Sequence, residues 1–376
     1  MKPIPTWQIQ IPEGMIDLGI GDPAFALLPL ERMKIAAQAC FDRGDPTFLQ
    51  YGAEQGDGYF RRSLAGFLSR GYGHAVDHES LFVSNGISSA LNLICDLFTR
   101  PGDVIFVEEP SYFLALRIFT DHDLTLVPIP IDQDGLIVAA LEEKLTHYQP
   151  KFLYTIPTHQ NPSGRTLPQD RRSRLIALSK EKNFLIVADE VYHLLSYTVK
   201  PPEPFAKHIR NGNVISLGSF SKILAPGVRL GWIATDAKII ERMNGCGLLV
   251  SGGGMNPFTS LVIREMIDSG ELDRNVAELI ATYTHRLNHM DALIKKYLPQ
   301  AEYSRPGGGY FFWLKFPGID TLELQQKATD FNSGFRAGVR FSSANGLREY
   351  LRLCFAFYGD NEIEEGLKRL ARAANQ

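Results

Sequence analysis

The segment SLGSFSKILAPGVRLGW, residues 216–232, holds the most reactive arrangement of side chains in the sequence. Lys222 follows an apolar run, VISLGSF (214–220), with only Ser221 between. Burial disfavours an ammonium and lowers its pKa, which suits a lysine to attack an aldehyde as a free amine. Ser219, Ser221 and Arg229 add two hydroxyl donors and a fixed cation, the groups a phosphate requires. Alone, the segment also fits a surface loop with a solvated lysine. Its neighbours in chemistry decide the matter.

Asp189 ends the apolar run FLIVADE (184–190), where an unpaired carboxylate is costly and needs a cationic or donor partner. A protonated pyridine nitrogen would serve, and the carboxylate would keep that ring electron-withdrawing. The rival reading, a Walker B strand, requires a G-x-x-x-x-G-K-[ST] loop upstream; the chain contains no Gly-Lys pair. In THQNPSGRTL (158–167), Pro and Gly make a tight turn from which the Asn161 amide could hold a phenolate oxygen. Tyr192, three residues past Asp189, could add a hydroxyl to the same oxygen; by itself it reads as a packing tyrosine. SNGISSALNL (84–93) puts small residues where a strand turns into a helix, so first-turn N–H groups and the Ser88 hydroxyl form an anion site. In EEPSYFLAL, the Tyr112 ring could stack on a flat cofactor or simply pack in the core.

Metal chemistry is not expected. HRLNH (285–289) has an i, i+4 histidine pair but lacks the HExxH glutamate and a third ligand, so a solvated helix face explains it better. His159 beside the Asn161 turn could tune the site, but a plain loop histidine is the favoured reading. Cys40, Cys95, Cys246 and Cys354 have neither metal nor redox spacing, and free thiols in a reducing cytoplasm are the expectation.

The elements that position these residues are legible as alternation. VIFVEEP (104–110), TLVPIPI (125–131), FLYTIP (152–157), FLIVADE, VISLGSF and LGWIAT (230–235) read as strands, with helical patterns at Ser88 to Phe98 and Pro168 to Lys182 between them. Strands separated by helices imply an α/β fold with a mostly parallel, buried sheet, and ligands outside the carboxyl ends of its strands. Asn161, Asp189 and Lys222 all sit at or just after such ends. Beyond about residue 258 the pattern changes to a long helical stretch, Pro257 to Tyr297, then alternating PGGGYFFWLKF (306–316) and YLRLCFAF (350–357). This predicts a large domain over 46–257 and a smaller α+β domain from 1–45 with 258–376.

With 376 residues there is room for both. A net charge of −3 gives no reason to expect nucleic acid or an anionic membrane as partner. MKPIPTWQIQIPEG has no apolar run for a secretory signal, and no later stretch approaches the ~18 apolar residues of a membrane span.

NGISSAL, EEPSYF, PTHQNPSG, VADEVY, SFSKILAPGVRLGW, PGGGYFFW and LRLCFA stand in the order found in class I/II aminotransferases of PLP fold type I, and the chain resembles that family from about Gly19 to Arg352. It looks most like the 2-aminoadipate, kynurenine and aromatic aminotransferase group, and is similar to the catalytic domain of MocR-type regulators. The resemblance implies pyridoxal 5′-phosphate held as a Schiff base on Lys222, with Asp189 at the pyridinium nitrogen. It implies Asn161 and Tyr192 at the 3-hydroxyl and Tyr112 stacked on the ring. Ile87, Ser88, Ser219, Ser221 and Arg229 then hold the phosphate. Arg352 matches the arginine for the substrate α-carboxylate, which a planar fork suits. Tyr51, in QYGAEQG, resembles the tyrosine that reaches the partner subunit's phosphate, so a homodimer with shared sites is implied. Gly21, in LGIGDP (18–23), resembles part of a segment covering the substrate. The chain departs from the family at Gly86-Ile87-Ser88, where Gly-Ser-Gln is frequent and Ile87 offers only its N–H, and at Cys354, where Asn is common.

The implied activity is transfer of an amino group from an L-amino acid to a 2-oxo acid, with 2-oxoglutarate or pyruvate the expected acceptor. The same scaffold also supports β-elimination, racemisation or decarboxylation. A regulator would need a DNA-binding winged helix ahead of LGIGDP, and that segment starts within two dozen residues of the first; no nucleic-acid binding is expected. Phe25, Tyr310, Phe311 and Phe312 hint at a large apolar or aromatic donor, or are core.

Overall fold

The computed structural model describes residues 8–210 and 213–375. The first seven residues of the stretch read for a secretory signal therefore lie outside it. Eight strands form the large sheet: β1 (Leu81–Ser84), β2 (Val104–Glu109), β3 (Thr125–Asp132), β4 (Gly135–Leu136), β5 (Phe152–Thr155), β6 (Leu185–Asp189), β7 (Val214–Ser219) and β8 (Gly231–Ala234). Their spatial order is β1-β8-β7-β6-β5-β2-β3-β4. The β7–β6–β5–β2–β3 run is parallel throughout. Crossover helices make this possible, among them α1 (Ile87–Phe98), α2 (Phe113–Asp121) and α3 (Gln169–Lys182).

Both faces of the sheet are covered, which is why these strands read as continuous apolar runs. Alternate side chains enter different cores: Ile105, Val107, Tyr154 and Val187 on one side, Phe106, Leu153, Ile186 and Ala188 on the other. Two expectations need correction. LGWIAT is a strand, but β8 runs antiparallel to both β7 and β1; an apolar run carries no information about direction. The stretch from Pro257 to Tyr297 is two helices, α4 (Pro257–Asp268) and α5 (Glu271–Tyr297). Gly270 between them has φ +74°, a left-handed conformation that ends the helical ladder and that glycine adopts without strain.

A second sheet of four strands, β9 (Glu302–Tyr303), β10 (Phe311–Lys315), β11 (Arg336–Ala337) and β12 (Tyr350–Cys354), is antiparallel in the order β9-β10-β12-β11. The early segment Ile16–Asp17 pairs with Ser333–Gly334, and the Leu18 carbonyl accepts from the Cys354 amide at 2.6 Å. The N-terminal segment is thus tied to the end of the chain. Among the described residues no helix is long and apolar enough to cross a membrane.

Candidate active site

The carboxyl ends of the parallel strands carry Asp189 and Ser219, and the turn after β5 carries Asn161. Because β8 is antiparallel, Gly231 at its start lies opposite both Ser219 and Ser84. Arg229, in the left-handed region at φ +47°, therefore returns to the edge that its own hairpin left. A parallel β8 would have put it at the far end.

Lys222 sits in this hairpin with its side chain 17% exposed. Its Nζ donates to the Gly21 carbonyl at 2.7 Å and lies 3.5 Å from Asp22 Oδ1 and 5.6 Å from the centre of the Tyr310 ring. Burial holds the ammonium below its usual pKa, with Asp22 opposing. The Tyr310 hydroxyl donates to the Lys222 carbonyl at 2.9 Å and fixes the backbone at this point.

Asp189 is buried. Its Oδ2 accepts from the Tyr154 hydroxyl at 2.9 Å and its Oδ1 from the Val191 amide at 3.3 Å. No ion pair neutralises it among the described residues. Burial pushes its carboxyl up to about 6. Tyr192 is also buried, its ring against Tyr310 at 5.5 Å and Phe311 at 5.9 Å, and burial raises its phenol well above the usual range. Tyr112 precedes α2; burial pushes its phenol up to about 12, while Arg352 and Asp189 act on it with opposite sign. The Phe311 ring that Tyr192 packs against borders the space at Gly21.

Arg352 on β12 reaches the same space. Its Nη1 donates to Asn161 Oδ1 at 2.9 Å, its Nη2 to the Gly19 carbonyl at 2.8 Å, and its guanidinium covers the Phe311 ring. Burial lowers its pKa to about 10, so it stays charged at neutral pH. Its Nε is buried without a partner among the described residues, which costs free energy unless something else accepts from it. Gly21 has no room to spare: a Cβ there would lie 3.2 Å from Phe311 Cζ and 3.4 Å from Arg352 Nη2.

At the other end, Gly86 (φ +83°) precedes α1, leaving the first-turn amides of Ile87 and Ser88 free of helical partners. A Cβ on Gly86 would lie 2.9 Å from Arg229 Nη2, and that same nitrogen donates to the Asn85 carbonyl. Ser219 Oγ and Ser221 Oγ are 2.9 Å apart. A cation, two hydroxyls and a helix N-terminus converge here, a donor set complementary to a phosphate. Tyr51 is the exception. Its side chain is 81% exposed beside Gly253, and no hydrogen bond or ring contact joins it to the Lys222 group among the described residues.

A family model for aminotransferases of class I and II matches residues 13–370. The chain belongs to this family. The aminotransferase is 33% identical to the aromatic-amino-acid aminotransferase 1 of Thermococcus litoralis, over 96% of this chain and 88% of that one. It is 29% identical to the 2-aminoadipate transaminase of Thermus thermophilus, over 96% and 90%. Among solved structures, the kynurenine aminotransferase of Pyrococcus horikoshii, in complex with PMP, superposes with a TM-score of 0.90 at 32% identity, covering 96% of this chain and 91% of that one. The PLP fold type I architecture expected for the aminotransferase is the one observed.

Several residues that shape the aminotransferase's site escaped the sequence reading. Tyr154, inside FLYTIP, is the hydrogen-bond donor to Asp189. Glu108, inside VIFVEEP, accepts from Thr155 Oγ1, the Ile156 amide and Gln160 Nε2, and burial pushes it up to about 7. Through Gln160 it braces the turn that carries Asn161. The rule that singled out Asp189, an acid within an apolar run, also marks Glu108. His159 is neutral, pushed down to about 4 by burial, and its Nε2 bonds Ser196 Oγ at 2.7 Å under Gly308. His285 pairs with Asp360, and no metal-binding cluster exists among the described residues. Tyr310 and Phe312 are core, Phe311 lies under Arg352, and Phe25 is 55% exposed.

Proposed function

We propose that this aminotransferase moves an amino group from an L-amino acid to a 2-oxo acid, 2-oxoglutarate or pyruvate, with pyridoxal 5′-phosphate carried on Lys222. The observation that carries the reading is a largely buried amine, Lys222, and a buried guanidinium with an unpartnered Nε, Arg352, that meet at the Gly19 and Gly21 backbone, in a fold whose parallel strands carry a buried carboxylate without an ion pair, Asp189. A cationic ring nitrogen would neutralise Asp189 and draw its pKa back down. A carboxylate would satisfy the Arg352 fork. When bound, the cofactor supplies an aldehyde to receive the amino group and a pyridinium ring to delocalise electrons.

The chain's own groups do the rest. Arg229, Ser219, Ser221 and the amides of Ile87 and Ser88 hold the phosphate, with the Ser88 hydroxyl as a further donor. Tyr112 would stack on the ring, and Asn161 and Tyr192 would hold its phenolic oxygen. Arg352 and Asn161 orient the donor's α-carboxylate beneath Gly21. Lys222 Nζ takes the proton from the donor's Cα. Segment 18–22 limits the access of water to these groups.

The exposed apolar side chains favour a homodimer. Phe41 and Phe258 pack with Phe48 in an aromatic cluster yet remain exposed, and Leu248, Val250 and Tyr51 are exposed as well. A second copy of the chain would cover them and receive Tyr51 at its phosphate site. We assign 46–257 to the cofactor-binding domain and 1–45 with 258–376 to the smaller one, in a cytoplasmic protein whose cysteines stay reduced.

The purified protein with added cofactor should be coloured, and borohydride should fix an adduct that peptide mapping places on Lys222. A panel of amino donors with 2-oxoglutarate should give the matching 2-oxo acids. Pyruvate and ammonia without transfer would indicate elimination instead, and a colourless protein with no adduct would end the reading. Sedimentation should give a mass of two chains.

A further inference from the structure

The N-terminal segment meets the site mostly through backbone: the Gly19 carbonyl takes Arg352 Nη2 and the Gly21 carbonyl takes Lys222 Nζ. It brings one charged side chain with it. Asp22 Oδ1 lies 3.5 Å from Lys222 Nζ, and the carboxylate is 37% exposed where the lysine is 17% exposed. This is the only ion pair of Lys222 among the described residues.

The groups facing Lys222 come from several elements. Arg352 and Cys354 act from β12, Asp189 from the end of β6, and the Tyr310 ring from the approach to β10. Arg352 is a like charge. The Cys354 thiol is pushed up to about 11 by burial and stays neutral. Asp189 accepts from Tyr154 and Val191 and, in the proposed function, faces the ring nitrogen. Asp22 is the carboxylate left for the amine.

We infer that Asp22 is a positioning residue for Lys222, a counter-ion lowered onto the amine by segment 18–22 that keeps the nitrogen and its proton directed at the reacting carbon. Closure of the segment and the charge on Lys222 are then coupled. A protonated amine holds Asp22 down, and a neutral amine releases it, leaving the Gly21 and Gly19 carbonyl contacts. Asp17, just ahead of the segment, cannot replace it, since Arg336 engages it at 2.9 Å.

The inference rests on the cofactor reading, and its test separates the two. The cofactor-loaded enzyme, without amino acid, is titrated from pH 5 to pH 10 by visible absorption in wild type, D22N, D22A and D22E. An anion within ~4–6 Å favours the protonated nitrogen by one or more pH units. Removing this half-exposed one should move the absorbance change down by roughly one unit in both D22N and D22A, with D22E restored to wild type. With donor present, kcat should fall about tenfold in D22N while donor KM stays within about twofold, because Arg352 carries the carboxylate. A D22N transition coincident with wild type overturns the inference, as does a shift in D22A alone, which would mark lost packing. A colourless wild type would instead sink the cofactor reading itself, and this inference with it.

Discussion

The guanidinium of Arg352 lies 4.0 Å from the centroid of the Phe311 ring, stacked over its face. The two residues sit on adjacent antiparallel strands, in a register that pairs Trp313 with Arg352 and Phe311 with Cys354. A second ring, Phe341, stands 5.0 Å away. The charge is thus confined between aromatic faces, where cation–π attraction is strongest because water is absent. Its Nη1 donates to Asn161 and its Nη2 to Gly19.

Arg352→Ala should raise donor KM by about 10²–10³-fold, the order expected for losing one partner of a buried charged contact. Phe311→Leu keeps the charge but loses the stacking, worth about 0.5–2 kcal/mol, and should raise donor KM by roughly tenfold. Cofactor affinity should stay constant in both. Steady-state kinetics beside a cofactor titration will check this, and a Phe311→Leu enzyme with wild-type KM would contradict it.

Asp189→Asn preserves the shape of the site and an acceptor for Tyr154. Without cofactor it should be at least as stable as wild type above pH 6, since it removes a carboxylate whose ionisation burial resists. Turnover should nonetheless fall by about 10²-fold or more, because an amide cannot hold a proton on the ring nitrogen. Melting curves of the apoprotein and rates of the loaded enzyme must diverge in this way.

Glu108 gives a pH signature of its own. Its carboxyl is raised from the usual 4.5 to about 7 by burial. The folded state therefore binds this proton more tightly than the unfolded chain. The associated stability is fully present below pH 4.5 and is lost as the pH rises through 7. Across that window wild type should lose roughly 3 kcal/mol relative to Glu108→Gln, which does not titrate. Differential scanning calorimetry of the two proteins should show a melting-temperature difference that grows with pH in favour of the variant; a flat difference would remove Glu108 as the cause.

Gly86→Ala should weaken the phosphate end. The new Cβ would meet Arg229 Nη2 at 2.9 Å, and alanine is strained at φ +83°. We expect cofactor affinity to fall about tenfold or more, while affinity for the unphosphorylated pyridoxal changes little. Equilibrium dialysis with each compound separates the two.

Much of this was legible in the sequence. A strand buried on both faces must be apolar along its length, so FLYTIP, FLIVADE and VISLGSF could be read, and polar residues at their ends stood out. Direction was hidden, because LGWIAT has the same composition whichever way it runs. The break at Gly270 was hidden because apolar periodicity resumes on both sides of it. Tyr154 was obscured for another reason: a tyrosine in a strand reads as bulk, and only pairing Thr155 with Ala188 brings its hydroxyl to Asp189. Contacts between distant segments, such as Gly19 with Arg352, have no local signature.

The hairpin joining β7 to β8 has a consequence for how the enzyme is made. Lys222, both serines and Arg229 are set relative to one another by a short loop whose ends are locked where Ser219 faces Gly231. The Gly19–Arg352 contact instead joins residues 333 positions apart. Closing so long a loop is entropically expensive and comes late when chains fold, whereas short loops close readily. A nascent or partly refolded chain would accordingly set Lys222, the two serines and Arg229 relative to one another well before it could grip an amino acid.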